Sequence, residues 1–254
     1  MVTGTGLRIG EDNLREVASS VSRELTTTIF DRGEAYIQTP MLYPDGTNVL
    51  VRLNMTNGND YFVTDCGLGA RTAHLSGADY WFRKYGEIHA RMAGIHFDAQ
   101  DFFTVNVARE KLAMAVATLA NASKTTVDIA LLKMSEHRQA ENKKLLESKL
   151  VSIFGSKHVT LEAEVTGASN HRWMIDVLVD HNNRRTAFDL VKPVPQSVYP
   201  AVAKFVDISD ADIKLGRVAV LESRPPEMDL VTLLSRSAKV IFRSDPDEIY
   251  QAAA

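Results

Sequence analysis

The sequence lacks the features that mark secreted and membrane proteins. Its single cysteine, Cys66, allows no internal disulfide bond, which fits a reducing compartment. No apolar run approaches the ~20 residues that a membrane span needs, and the N-terminal stretch has no apolar core of the signal-peptide type. From these features we expect a cytoplasmic protein.

The charge balance is slightly acidic. Lys and Arg number 29 and Asp and Glu number 32, a net charge of −3. The chain therefore does not hold nucleic acid through bulk positive charge, although a local basic groove could still do so. We expect a protein partner rather than nucleic acid and no membrane partner, with a homodimer among the candidate assemblies.

Periodicity divides the 254 residues into two parts. Residues 1–136 mix helical stretches with a hairpin signal at Asn57-Gly58 and predict an α+β N-terminal domain. The polar stretch 135–144 is interpreted as the join between domains. Residues 137–254 give the order helix, three strands, helix, strand, helix, strand. That order predicts an α/β domain with a mixed sheet, because the fourth strand needs a helical crossover.

Helices of the N-terminal domain are predicted at Glu11–Thr28, Leu68–Leu75, Tyr80–Ala93 and Ala108–Ala120. Glu11–Thr28 carries Leu14, Val17, Val21 and Leu25 at helical spacing. Ala108–Ala120 is rich in alanine, which favours helix, and we predict that it breaks at Asn121–Lys124.

The most informative stretch is a second hairpin signal. Two apolar runs flank Asn182-Asn183, and Asn tolerates the positive φ that a two-residue turn needs. Folding the chain about that turn places Asp176 opposite Asp189. The other predicted pairs are His181 with Arg184, Val179 with Thr186, and Val177 with Phe188; the acids share their face with Met174, Leu178, Ala187 and Val191.

Two opposed carboxylates on a half-buried surface repel each other. Three arrangements relieve that repulsion: a bound cation, a retained proton, or donors from elsewhere in the chain. The first predicts a metal site and the third an ordinary structural network, and the sequence leaves the choice open.

The C-terminal order resembles the PD-(D/E)xK nuclease-like superfamily, whose fold is restriction-endonuclease-like. The resemblance implies a divalent metal held by Asp176 and Asp189, with Glu147 as a helical acid, and a lysine that stabilises charge. In that family the lysine lies two residues after the third-strand acid. Here Lys192 lies three residues after Asp189, so we expect it to point to the opposite side of the strand unless a β-bulge re-aims it. Lys204 on the following helix could supply a displaced amine.

The whole chain also resembles paired bacterial and phage domains of unknown function, eighteen twenty-eight and, for the C-terminal partner, eighteen twenty-nine. The N-terminal cues are TPMLYPDGTNVLVRL and YFVTDCGLGARTAHLSGAD, and the C-terminal cues are AFDLVKP and FVDISDAD. The N-terminal domains of this family usually have an acidic-acidic-glycine turn, and here Cys66 stands at the position of its second acid. This resemblance implies an association with mobile elements and brings no established biochemistry.

Other candidate residues have two interpretations each. Asp65 could bind a ligand or accept backbone hydrogen bonds and cap the next helix, and Cys66 is expected to be a packed side chain. An aromatic pair with two basic neighbours on one helix could stack on a partner or pack inward. Two arginines beside the Asn182-Asn183 turn could contact phosphate or face solvent. The candidate binding residues are Trp81, Arg83, Lys84, Tyr85, Arg184 and Arg185.

We therefore predict a non-catalytic macromolecule-binding protein with a degenerate nuclease-like domain, from phage–host conflict or mobile-element biology. No cofactor is expected in that case. The alternative is a metal-dependent nuclease acting on DNA or RNA, with catalytic Asp176, Asp189 and Lys192 and with Mg²⁺ or Mn²⁺ bound by Asp176, Asp189 and Glu147.

Overall fold

The computed structural model describes residues 5–56, 60–211, 214–223 and 228–254. The chain divides into two compact units, Met1–Glu136 and His137–Ala254. One unit contains an antiparallel sheet and the other a mixed sheet. In the described ranges, no helix combines the length and apolarity that crossing a membrane requires.

The N-terminal unit is built on a six-stranded antiparallel sheet in the order β1-β2-β3-β4-β6-β5. Its turn at Asn57-Gly58 lies outside the described residues, but the strands on either side pair antiparallel. The strands are β1 (Thr27–Asp31), β2 (Glu34–Leu42), β3 (Asn48–Met55), β4 (Tyr61–Thr64), β5 (His96–Phe97) and β6 (Phe102–Val107).

Four helices belong wholly or partly to this unit: α1 (Thr5–Glu24), α2 (Leu68–Leu75), α3 (Asp79–Ala93) and the first part of α4 (Leu112–Phe154). Side chains of α2, α3 and α4 pack with Val49, Val51 and Val63 of the sheet in one core. The first helix ends four residues before its predicted limit, and the strand that follows it, β1, was not predicted.

The predicted break at Asn121–Lys124 is wrong, because α4 is continuous. Its polar residues find partners inside the unit instead of forming a loop. Ser123 and Thr126 are both buried. The Ser123 hydroxyl donates to Asp65 at 2.5 Å, and the Thr126 hydroxyl donates to the Ala122 carbonyl at 2.7 Å.

The C-terminal unit has a five-stranded sheet in the order β11-β10-β9-β8-β7. The first three strands form an antiparallel meander, and β10 and β11 are parallel to β9. Its strands are β7 (Val159–Thr166), β8 (Arg172–His181), β9 (Arg184–Val191), β10 (Leu215–Leu221) and β11 (Lys239–Phe242); its own helices are α5 (Pro195–Asp210), α6 (Met228–Ser235) and α7 (Asp247–Ala253).

Helices cover both faces of this sheet. Leu146 and Leu150 of α4 pack with Val177 and Phe188 on one face, and α7 adds Tyr250 there. On the other face, α5 and α6 pack against Val191 and neighbouring residues of β10. The alternating side chains of β9 and β10 thus feed two helical layers, as expected for a sheet with parallel strands.

Candidate functional site

The hairpin between β8 and β9 has the predicted turn. Asn182 and Asn183 have φ values of 52° and 62°, the left-handed conformation that a type I′ turn requires at both central residues. The observed pairs are the predicted ones: His181 with Arg184, Val179 with Thr186, and Val177 with Phe188.

Asp176 and Asp189 are linked across the two strands by their own backbones. The Asp176 N–H donates to Oδ1 of Asp189 at 2.8 Å, and the Leu190 N–H donates to Oδ2 of Asp176 at 2.9 Å. Asp189 is buried, and Asp176 is largely shielded from solvent. Each carboxylate therefore replaces part of the ordinary strand ladder with a side-chain hydrogen bond.

A lysine pairs with each of the two acids. Nζ of Lys204, on α5, lies 2.6 Å from Oδ2 of Asp189 and 2.8 Å from the Met174 carbonyl oxygen. Nζ of Lys143, on α4, lies 2.7 Å from Oδ1 of Asp176. We call these four side chains the acid–lysine cluster. Their formal charges cancel.

The contacts between the lysines and the acids change the pKa values of both. Burial raises the pKa of Asp189, and the neighbouring Lys204 ammonium is the main influence that lowers it again. The hydrogen bond to Asp176 raises the pKa of Lys143. Of the three arrangements that relieve the acid pair, the structure contains donors from elsewhere in the chain, the amines and the two backbone N–H groups.

The prediction that Asp176 and Asp189 share one face of the sheet is wrong. Asp189 contacts α5, whereas Asp176 takes its cation from α4 on the opposite face. The reason is a break in alternation along β8: Ile175 packs in one core cluster and Val177 in the other. Opposite this break, Glu162 of β7 has a φ of 47°, outside the strand region.

Lys192 pairs with neither acid. Together with Lys143 and Leu190 it lines a hollow of about 280 Å³, on the side of the strand that its spacing of three predicts. Its backbone N–H donates to the Ser197 hydroxyl at 3.1 Å at the start of α5. The lysine that contacts an acid of β9 is therefore Lys204.

The acid–lysine cluster does not fit a divalent metal as it is arranged. All four carboxylate oxygens already accept a hydrogen bond from the chain, and a metal would need several of them. Glu147 lies half-buried on α4. In the described ranges, no three His, Cys, Asp or Glu side chains group as metal ligands.

A second polar centre surrounds Asp65 in the N-terminal unit. This buried carboxylate accepts hydrogen bonds from the Phe102 N–H at 2.9 Å, the Gly67 N–H at 3.2 Å and the Ser123 hydroxyl at 2.5 Å. Burial raises the pKa of Asp65 to about 6. Asp65 does accept backbone hydrogen bonds, but α2 has Gly67 at its N-cap and no side-chain cap.

Cys66 follows Asp65 in a left-handed conformation, with a φ of 55°. It lines a hollow of about 470 Å³ with Arg71, His74 and Asp101, among others. Burial raises the pKa of the Cys66 thiol. Because the thiolate is the nucleophilic form, this environment disfavours nucleophilic chemistry. The side chain is half-buried and lines the hollow, so it is less closely packed than expected.

The aromatic pair of α3 faces partly inward and its basic neighbours face outward. The rings of Trp81 and Tyr85 stack with centroids 6.5 Å apart, and both are half-buried. Lys84 places Nζ 5.3 Å from the Trp81 centroid, and Arg83 is exposed. Inward packing of the two rings is therefore partly observed, and stacking on a partner stays a prediction.

Sequence reasoning missed a row of exposed side chains on the same helix. Tyr80, Ile88 and Met92 are exposed and follow one another at multiples of four residues, with Lys84 between them. We call these four residues the α3 ridge. The spacing of four residues between them is the sequence signal that predicts such a row. At the β8–β9 hairpin, Arg184 and Arg185 are exposed.

Comparisons with known proteins give little. No family model matches the chain, and no curated protein matches it. One solved structure, "Crystal structure of protein VC1899 from Vibrio cholerae", is 12% identical over 92% of this chain and 70% of that chain, with a TM-score of 0.33. A likeness at that level carries no argument about function.

Proposed function

We propose that this protein binds another macromolecule without catalysing a reaction, through a chain whose C-terminal unit is a degenerate nuclease-like domain. One observation carries the proposal. In the acid–lysine cluster, both acids are already satisfied by the chain's own amines and N–H groups. A hydrolytic metal site instead needs carboxylate oxygens free to bind the ion and an open ligand position.

The order of elements supports a restriction-endonuclease-like core. A helix, three antiparallel strands, a helix and a parallel strand follow one another in α4, β7, β8, β9, α5 and β10. The acids fall on the second and third strands of that order, as in the PD-(D/E)xK superfamily. Phage–host conflict and mobile-element biology remain the proposed setting, from the sequence resemblance alone.

A protein is the favoured partner. The α3 ridge exposes an aromatic ring and two large apolar side chains, which are enriched at protein interfaces. The net charge of −3 gives no general attraction to phosphate.

A second candidate function is a metal-dependent nuclease that uses Asp176, Asp189 and Lys204. The observation in its favour is the position of Lys204, whose amine lies 2.6 Å from Asp189. That amine supplies the group that Lys192, on the wrong side of β9, does not.

Cleavage and metal-binding assays separate the two candidates. We expect no cleavage of single- or double-stranded DNA or RNA with Mg²⁺ or Mn²⁺, and no heat of metal binding in calorimetry. Metal-dependent cleavage that is lost in Asp176→Asn and Lys204→Met but kept in Lys192→Met would overturn the proposal. Circular dichroism of each variant distinguishes a lost activity from a lost fold.

Binding assays test the class of partner. We expect labelled DNA and RNA to show no saturable change in fluorescence anisotropy at low salt. Tight binding that weakens steeply with added salt would instead identify a nucleic-acid-binding protein, because released counterions set that dependence.

A further inference from the structure

Helix α1 carries an apolar stripe that the described part of the chain leaves uncovered. Leu14, Val17, Val21 and Leu25 are exposed by 69%, 52%, 50% and 52%. Leu25 continues the helical path beyond Glu24, since its N–H donates to the Val21 carbonyl at 3.0 Å. Most of a helix's stability in a protein comes from packing such a face. We call these four residues the α1 stripe.

We propose that the α1 stripe pairs with the same stripe of a second copy of this chain, antiparallel about a two-fold axis. The order Leu, Val, Val, Leu reads the same in both directions. Antiparallel pairing therefore places Leu14 against Leu25 of the partner subunit and Val17 against the partner's Val21. A two-fold interface of this kind uses one patch twice and closes on itself.

The rest of the helix is compatible with close approach of two copies. Ala18 and Ser22 lie at the side of the stripe and are small enough to let two helices meet. Arg15 and Arg23 are balanced by Glu16 and Glu24, so residues 13–24 carry no net charge and two copies do not repel each other strongly.

Strand β1 begins two residues after Leu25 and is also exposed. It forms one edge of the six-stranded sheet, all five of its residues are exposed, and it carries Ile29 and Phe30, which are 53% and 78% exposed. Successive strand residues point to opposite faces, so one of these two at most adds to the α1 stripe. A standard interface buries about 800 Å² on each partner, and five large apolar side chains at on the order of 100 Å² each supply more than half of that area.

The test is the mass of the full-length protein in solution. Light scattering after size exclusion, over a wide range of concentration, should give twice the monomer mass of 28.1 kDa. Val21→Glu should weaken dimer formation roughly tenfold or more. Ser19→Glu, which adds the same charge away from the stripe, should leave it unchanged. A monomeric wild type, or equal behaviour of the two variants, would overturn the proposal.

Cross-linking tests the direction of pairing. In a Cys66→Ser background, a mixture of Leu14→Cys and Leu25→Cys proteins should form a mixed disulfide on mild oxidation, and neither protein alone should do so. A disulfide between two Leu14→Cys chains would show parallel pairing and overturn the proposed antiparallel arrangement. The result does not depend on the proposed function, since it requires neither a partner protein nor an acid–lysine cluster.

Discussion

Lys204 reaches from α5 to Asp189 and donates its amine at 2.6 Å to a carboxylate that is buried in the sheet. This contact explains how an acid can occupy an interior position of β9. Breaking a buried ion pair by removing one partner is costly because the other charge remains without compensation. The first prediction follows from that asymmetry.

Replacing Lys204 by methionine should lower the free energy of unfolding of the C-terminal unit by about 3 kcal/mol near neutral pH. Without the ammonium, the already raised pKa of Asp189 rises further. The loss should therefore grow as pH rises and shrink in acid, where Asp189 is protonated in both folded and unfolded chains. Urea unfolding followed through Trp173, in a Trp81→Phe background, measures it.

Two variants control this measurement. Lys192→Met should change stability by less than about 0.5 kcal/mol, because Lys192 pairs with neither acid. Adding Asp189→Asn to Lys204→Met should recover part of the loss by removing the unpaired charge. If Lys192→Met and Lys204→Met cost the same, the role given to Lys204 is wrong.

Asp65 predicts a pH dependence of the N-terminal unit. Its folded-state pKa of about 6 lies above the ordinary value of 3.8, so the folded chain binds the proton more tightly than the unfolded chain. The contribution of Asp65 is greatest below about pH 4 and is lost as pH rises to about 6, by roughly 3 kcal/mol in all. If the urea midpoint changed with pH in the same way for the wild type and for Asp65→Asn across this range, the prediction would be wrong.

Gly67 and Gly33 both have a positive φ, 65° and 81°. A Cβ at Gly67 would lie 2.6 Å from Oδ1 of Asp101, the end of a flexible side chain that can turn away, and a Cβ at Gly33 meets no atom within 4 Å. Gly67→Ala and Gly33→Ala should therefore each cost mainly the backbone strain, about 1 kcal/mol. Thermal unfolding of the two variants tests this, and a much larger loss for Gly67→Ala would show that Asp101 cannot move.

The Asn182-Asn183 turn predicts a matched pair of substitutions. Asn183→Ala should destabilise the C-terminal unit by about 1 kcal/mol, because a positive φ is sterically unfavourable for alanine. Asn183→Gly should be close to neutral, since glycine adopts that conformation freely. Equal unfolding midpoints for the two variants would argue against a type I′ turn in solution.

The turn and register of the β8–β9 hairpin were predictable because they depend on residues that are close together in the chain. Two asparagines with positive φ fixed the turn, and the period of two along each strand then determined the register from Val177 with Phe188 onward. No such rule identified the switch of faces at Asp176, because neither glycine nor proline marks it. The positive φ at this point belongs to Glu162, a residue type that does not signal a left-handed conformation.

Contacts between distant residues account for most of what the sequence did not reveal. Asn121–Lys124 has the composition of a break, but Ser123 is drawn into the core by Asp65, 58 residues away. Strand β1 was missed although Arg32 and Gly33 form its turn with positive φ. Lys143 gave no signal of its contact with Asp176, since only the tertiary fold brings α4 to that point of β8.

The acid–lysine cluster supplies its own counter-ions. Folding of the C-terminal unit should then draw on no ion from the buffer, and prolonged exposure to EDTA should leave its unfolding midpoint where it was. Two ammonium groups of the polypeptide neutralise the two acids, and dialysis cannot remove them as it can remove a bound metal ion.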